Sequence, residues 1–389
     1  MALRQQGRKN ARHADMRETA AGECCYSAAH SQSVRYCRKA MPTHTRKSRR
    51  KPARYSVPVI DTHAHWYPQA FIDLLDREAA DNGAAMSRDA KGHPVFKLPH
   101  IEQRSVMPPL MVDLDLMRHE MDKRRVDTMV LSLTNPMVYW AQPAFALKLS
   151  RAWNDASTAA HTAFPDRFIG TIMLPMHAPE LAVPELERAA KLPGMRAVYM
   201  AEAINGVNLH DKSFWPVYAK CEALALPIML HPLYPCGIER MREFFMRNLL
   251  GNPYEAGIAA CSLVLGGVMD AFPKLKVLLP HAGGPFPWLI GRIDYGIKIR
   301  AELKHMKKPA SKYLRRFYYD TITHQPQILR YLIDFVGEDR IVLGSDYNQD
   351  MCDLRPVDFV EAVPNLSKRQ REIILGTNAM KLLKIRRNK

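Results

Sequence analysis

From residue 57 onward the chain alternates short, almost wholly apolar runs with longer segments in which apolar positions recur at helical spacing. The runs are VPVIDT (57–62), VDTMVLSL (126–133), FIGTIML (168–174), MRAVYMA (195–201), PIMLH (227–231), KVLLPH (276–281), FYYDTI (317–322) and RIVLGSD (340–346). Between them, a period near 3.6 residues predicts helices over 114–123, 143–164, 179–191, 214–224, 255–272, 285–304 and 327–336. Two more helices are expected after the eighth run, over 356–363 and 368–383. A strand that is apolar on both faces needs cover on both, which a parallel sheet under helices supplies. Eight such units in succession predict an α/β fold, a (β/α)8 TIM barrel. An open, doubly wound sheet is the alternative, but no G-x-G-x-x-G fingerprint follows the first run. Residues 78–112 are polar and Pro-rich and read as one long loop. Loops of that length in a compact domain are usually functional covers.

Composition narrows the picture. At 47% apolar and 24% charged residues the chain is of the soluble globular class. No run of about 18 apolar residues predicts a membrane span. The net charge of +17 invites a nucleic-acid reading, yet residues 1–54 alone hold 14 Lys/Arg against 3 Asp/Glu. The charge therefore belongs mainly to a basic extension (1–54), for which disorder is expected, and not to the domain spanning 55–389. The run RKSRRK (46–51) has neither aromatic stacking partners nor a groove-reading motif, so nucleic-acid binding is not expected. The folded part is expected to need nothing before Met41. Of the seven cysteines none forms C-x-x-C, which predicts reduced thiols and a cytoplasmic setting.

Candidate chemistry gathers at the ends of the runs. His63 and His65 end the first, His231 the fifth, His281 the sixth and Asp346 the eighth. In a barrel, residues at the carboxyl ends of different strands converge on one face. Positions i and i+2 of a strand share a side, so His63 and His65 point the same way. Neutral imidazoles with one carboxylate form a nitrogen/oxygen site suited to Zn²⁺, with Mn²⁺ as the other candidate.

The motifs D-T-H-A-H (61–65), L-H-P (230–232), H-A-G-G-P-F-P-W-L-I-G-R-I-D (281–294) and G-S-D-Y (344–347) resemble the amidohydrolase superfamily. More narrowly they resemble its branch related to aminocarboxymuconate semialdehyde decarboxylase, a distorted TIM-barrel type. The resemblance implies metal ligation by His63, His65, His231 and Asp346, with His281 and a metal-bound water as acid and base. It also implies that Arg104 and Arg292 bind a substrate carboxylate, Arg292 from across a homodimer interface. Tyr139 and Trp140, after the second run, are candidate pocket walls, and His324 is placed to reach the pocket or to stand behind it. The implied activity is nonhydrolytic decarboxylation of an aromatic or muconate-like carboxylic acid. The alternative is a hydrolase of a lactone, amide or 1,3-dicarbonyl. After the fifth run this chain reads His231-Pro232-Leu233-Tyr234, and after the eighth Asp346-Tyr347-Asn348-Gln349-Asp350, both departures from the branch. They fall on loops expected to face substrate.

Overall fold

The computed structural model describes residues 55–99, 101 and 104–385. The basic extension, with the expectation of disorder attached to it, lies outside the described residues. Seven strands form one parallel sheet: β1 (Ile60–His65), β2 (Thr128–Ser132), β3 (Phe168–Met173), β4 (Met195–Ala201), β5 (Ile228–His231), β6 (Val277–Leu279) and β7 (Phe317–Tyr319). They pair in the order in which they occur in the chain. A doubly wound sheet reverses its order at a switch point; this one curls in a single direction. Every residue of these strands is buried except Arg196 in β4, so the continuous apolar runs have cover on both faces.

That cover comes from α1 (Gln69–Glu78), α2 (Leu114–Lys123), α3 (Pro143–Ala163), α4 (Pro179–Ala189), α5 (Trp215–Leu224), α6 (Asn252–Leu265), α7 (Phe286–Ile299) and α8 (Pro326–Val336). Helices α3 to α8 each carry Pro in their first two positions. There the missing N–H costs nothing and the fixed φ favours the first turn. Helix α1 goes beyond the sequence pattern, and its buried Phe71, Ile72, Leu74 and Leu75 lie along one face. The single helix expected over 255–272 is two, because Gly267 adopts φ 78° and a short helix, Val268–Ala271, restarts after it.

Residues 78–112 are more structured than a loop. They contain a three-stranded antiparallel sheet, 85–88, 94–97 and 104–106. The Asp89 carboxylate accepts from the backbone N–H of Lys91 at 2.8 Å and of His93 at 2.9 Å, closing the first turn.

The eighth run also differs from expectation. Residues 341–347 lie between β7 and β1, where Val342 N–H donates to Tyr319 C=O and Thr62 N–H to Leu343 C=O, both at 2.9 Å. Only isolated bridges mark these contacts, Tyr319 with Ile341 and Ala64 with Tyr347, and no regular eighth strand forms. Side chains take the ladder positions instead. Ser345 N–H donates to the Asp61 carboxylate at 3.0 Å, and Gly344 N–H to the Thr321 hydroxyl at 3.2 Å. Asp346 then turns into the left-handed region at φ 58°. Among the described residues no helix is long and apolar enough to cross a membrane.

Candidate metal centre

His63 and His65 on β1, His231 at the end of β5 and Asp346 after the eighth run each aim one donor atom at a common point. These four atoms lie within 4.8 Å of one another, and all four residues are buried. For His63 and His65 the ring nitrogens that face away from that point are spoken for. His63 Nδ1 lies 2.9 Å from the Asp320 carboxylate, which only accepts, so Nδ1 carries the proton and Nε2 turns inward. The Ser132 hydroxyl gives its one proton to Ala64 C=O at 2.9 Å and so accepts from His65 Nδ1 at 3.1 Å. His65 Nε2 is left with a lone pair directed at Asp346 Oδ1, 3.0 Å away.

Two lone pairs at that distance repel unless a cation lies between them. Buried His63 Nε2 and His231 Nδ1 have no hydrogen-bond partner among the described residues. Buried ring nitrogens left without a partner are costly unless a ligand meets them. The arrangement fits a divalent metal held by three imidazoles and one carboxylate.

The protonation preferences of His65, His231 and Asp346 agree with ligation, and that of His63 runs the other way. Burial pushes His65 down to about 4 and drives His231 well below the ordinary histidine value, keeping both rings neutral, the form that binds metal. Burial opposes charge on Asp346, but the adjacent His65 and the other imidazoles around it hold the carboxyl at about 2. Burial also opposes charge on His63, yet the Asp320 bond and the Asp346 carboxylate push its pKa upward.

A cavity of about 330 Å³ opens on this cluster, with Asp346 and His281 in its wall beside His324, Asn248 and Trp288. His281 Nε2 stands 4.0 Å from Asp346 Oδ2. Burial lowers its pKa, and its Nδ1 has no partner among the described residues. A larger, mostly apolar cavity of about 640 Å³ lies against α6 and α7 but contains no member of the cluster. The chemistry assigns the smaller one as the site.

A family model described as Amidohydrolase matches residues 60–385. The chain belongs to the amidohydrolase family. The 2-amino-3-carboxymuconate-6-semialdehyde decarboxylase of Dictyostelium discoideum is 35% identical over 333 residues, covering 85% of this chain and 92% of its own. The 5-carboxyvanillate decarboxylase structure from Sphingomonas paucimobilis superposes with TM-score 0.72 at 26% identity, over 85% of this chain and 100% of that one. A dihydroxybenzoic acid decarboxylase from Polaromonas sp. JS666, solved with bound manganese and 2-nitroresorcinol, gives TM-score 0.69 at 26% identity, over 85% and 98%. This amidohydrolase therefore sits in the decarboxylase branch and is a carboxy-lyase. The hydrolase alternative is set aside.

Within the amidohydrolase frame, the other residues singled out from sequence fall in different places. Arg104 is exposed on the last strand of the small antiparallel sheet, and Arg292 is exposed on α7. Tyr139 is buried away from the cavity wall, its hydroxyl accepting from Ala201 N–H at 3.4 Å and directed at Met173 Sδ. Trp140 packs on Phe96 and Phe145 at ring separations of 4.8 and 5.9 Å. Neither aromatic lines the smaller cavity.

Other residues carried no assignment from sequence. Asp320 accepts from the His63 ring, from His281 N–H at 3.0 Å and from Ala282 N–H at 2.8 Å. Asp61 ties β1 to Ser345, next to Asp346. Glu202, at the end of β4, is buried with both carboxylate oxygens unpartnered among the described residues. Asp320 and Glu202 each directly follow a strand, the position that drew attention to the histidines, and that was the available signal.

Proposed function

We propose that this carboxy-lyase uses one divalent metal, Zn²⁺, to remove CO₂ from a flat, unsaturated or aromatic carboxylic acid. The observation that carries this is the buried His63–His65–His231–Asp346 cluster opening on a cavity whose wall includes a neutral His281. Three imidazoles to one carboxylate is a nitrogen-rich donor set, which suits zinc better than the oxygen-seeking Mn²⁺. A metal held there would supply Lewis acidity towards a substrate oxygen and lower the pKa of coordinated water.

The chain's own residues do the rest. His281, neutral at rest, poised near Asp346 and short of a partner at Nδ1, takes up a proton from water and hands it to the carbon that bears the departing carboxylate, returning to its neutral form. The C–C bond then breaks, its electron pair restores the double bond that was given up to the proton, and CO₂ leaves. Asp320 holds the backbone turn that carries His281, so the base and the His63 ring share one anchor. The substrate carboxylate needs a cation, and bidentate guanidinium geometry suits it. Arg104 and Arg292 are the residues we assign to it.

The assembly read here is a homodimer. On α7, Leu289, Tyr295 and Ile299 are 44%, 63% and 60% exposed, and Phe244 is 81% exposed. An apolar face of this kind is characteristic of an interaction surface, and Arg292 lies within it. We also infer that residues 341–347 close the sheet into a full eight-membered barrel, since they bond to β7 and β1 at once. The domain is taken as 55–389 with a cytoplasmic setting.

The deciding experiment incubates metal-loaded enzyme with a panel of aromatic and muconate-like acids in H₂¹⁸O. CO₂ release without ¹⁸O in the organic product is expected; ¹⁸O incorporation would restore the hydrolase reading. Metal content by mass spectrometry separates zinc from manganese, and sedimentation gives the assembly state.

A further inference from the structure

We infer that Trp288 is the specificity-determining wall of the catalytic cavity, a fixed stacking platform that selects flat, conjugated acids over saturated ones. The inference rests on the decarboxylase reading and deepens it. Trp288, in the first turn of α7, lines the same cavity as His281 and Asp346. Its indole is stacked on Tyr331 of α8, with ring centroids 4.4 Å apart and planes 9° from parallel. Tyr331 is backed in turn by Phe335 at 5.7 Å and 24°.

The stack covers one indole face and fixes the tilt of the ring. Trp288 is nevertheless 45% exposed, so the protein leaves much of its surface free. A large aromatic left half open beside a reaction site gains most by covering a planar partner, because offset stacking adds to the burial of apolar area. The remaining wall supports that shape. Leu249, Leu250, Ile322, Ile328 and Leu332 make most of it apolar, with Asn248 and Thr323 among them, and Asp346, His281 and His324 supply its titratable groups. A ligand with a flat hydrocarbon body and oxygen at one end matches this division. Tyr331 acts through Trp288 and is a positioning residue.

The test uses full-length, metal-loaded enzyme and two probes, 2,6-dihydroxybenzoate and saturated cyclohexanecarboxylate. Affinity comes from calorimetry and from quenching of tryptophan emission. KM and kcat are measured on whichever acid wild type decarboxylates. Trp288→Ala is expected to weaken dihydroxybenzoate binding and raise KM by about tenfold, with kcat changed far less. Cyclohexanecarboxylate affinity is expected to stay within about twofold, so planar selectivity collapses. Trp288→Phe keeps most of the selectivity, whereas Tyr331→Leu loses about threefold in affinity and Tyr331→Phe restores it.

Equal dihydroxybenzoate affinity in wild type and Trp288→Ala overturns this inference and leaves the decarboxylase reading intact. Absence of CO₂ release by wild type, with planar selectivity still lost in Trp288→Ala, overturns the reaction and upholds the platform. If Trp288→Ala does not fold, an unchanged selectivity in Trp288→Phe and Tyr331→Leu together overturns the platform.

Discussion

The two ends of the catalytic cavity are built on opposite plans. At the metal end the ring nitrogens of His63 and His65 that face away from the cluster have assigned partners, in Asp320 and Ser132, and the residues around them are buried. At the mouth, Leu249 and Leu250 line the cavity while 54% and 46% exposed. The closed end is over-determined, so a change there propagates. The open end is under-determined, so a change there alters what binds and leaves the fold alone. On the proposed function, reaction type would rest on side chains that hold one another, and substrate choice on a wall that is open apart from the Trp288–Tyr331 stack.

The strongest way to break this contrast is to remove a proposed ligand. His231→Ala should fall from about one metal ion per chain towards none by mass spectrometry, and its CO₂ release should drop below detection. A variant with full metal content would remove the site from the argument. Next comes the support behind the ligands. Asp320→Asn should lower metal affinity by about 10- to 100-fold in a chelator titration, because the amide no longer fixes the His63 tautomer; an unchanged titration would make Asp320 a bystander.

Gly344→Ala should follow. A Cβ there would stand 2.9 Å from Asp320 Cβ and 3.0 Å from His63 Cβ, closer than packed carbons tolerate. The overpacking should cost about 1–3 kcal/mol in urea unfolding and weaken metal binding with it. The mouth offers the counter-case. Leu250→Ser should leave unfolding within about 0.5 kcal/mol of wild type while raising KM for the planar acid, and a large loss of stability would erase the contrast.

The smallest effect lies far from either end. Glu185 is buried and bonds Arg188 at 2.9 and 2.8 Å, Arg151 at 3.1 Å and Asn154 at 2.8 Å. Burial opposes its charge, but these partners hold its pKa below the usual carboxylate range. A depressed folded pKa gives stability that is complete above the unfolded value of about 4.3 and fades as pH falls through the folded one. The stability gap between wild type and Glu185→Gln should therefore be constant near neutrality and close below about pH 4. A gap that widens in acid would refute the assignment.

What the sequence could and could not disclose follows the same division. His63, His65, His231, His281 and Asp346 were visible because strand ends are one-dimensional landmarks, and a parallel sheet converts them into neighbours. The seven strands were visible because burial on both faces demands unbroken apolar runs. The place of Asp320 at a strand end was legible, but its bond to His63 was not, since that bond spans 257 residues. The eighth run was read as a strand from its apolar residues, but the Asp61 carboxylate and the Thr321 hydroxyl take positions that a neighbouring strand would have used. The small sheet within 78–112 was hidden by its brevity, because strands of three or four residues among Pro and Gly lack a readable period. Tyr139 and Trp140 show the remaining limit: nearness in sequence to a site does not say which way a ring points.

Asp320 couples metal affinity to the position of His281. The same two oxygens receive the His63 ring and the backbone turn that carries His281, so neither partner can move without a response at the other. By linkage, a metal that binds better when the turn is in place must stabilise that turn by the same factor. Filling the centre and fixing the His281 turn are then coupled, and an enzyme stripped of metal should be slack at His281 before it is slack anywhere else in the parallel sheet.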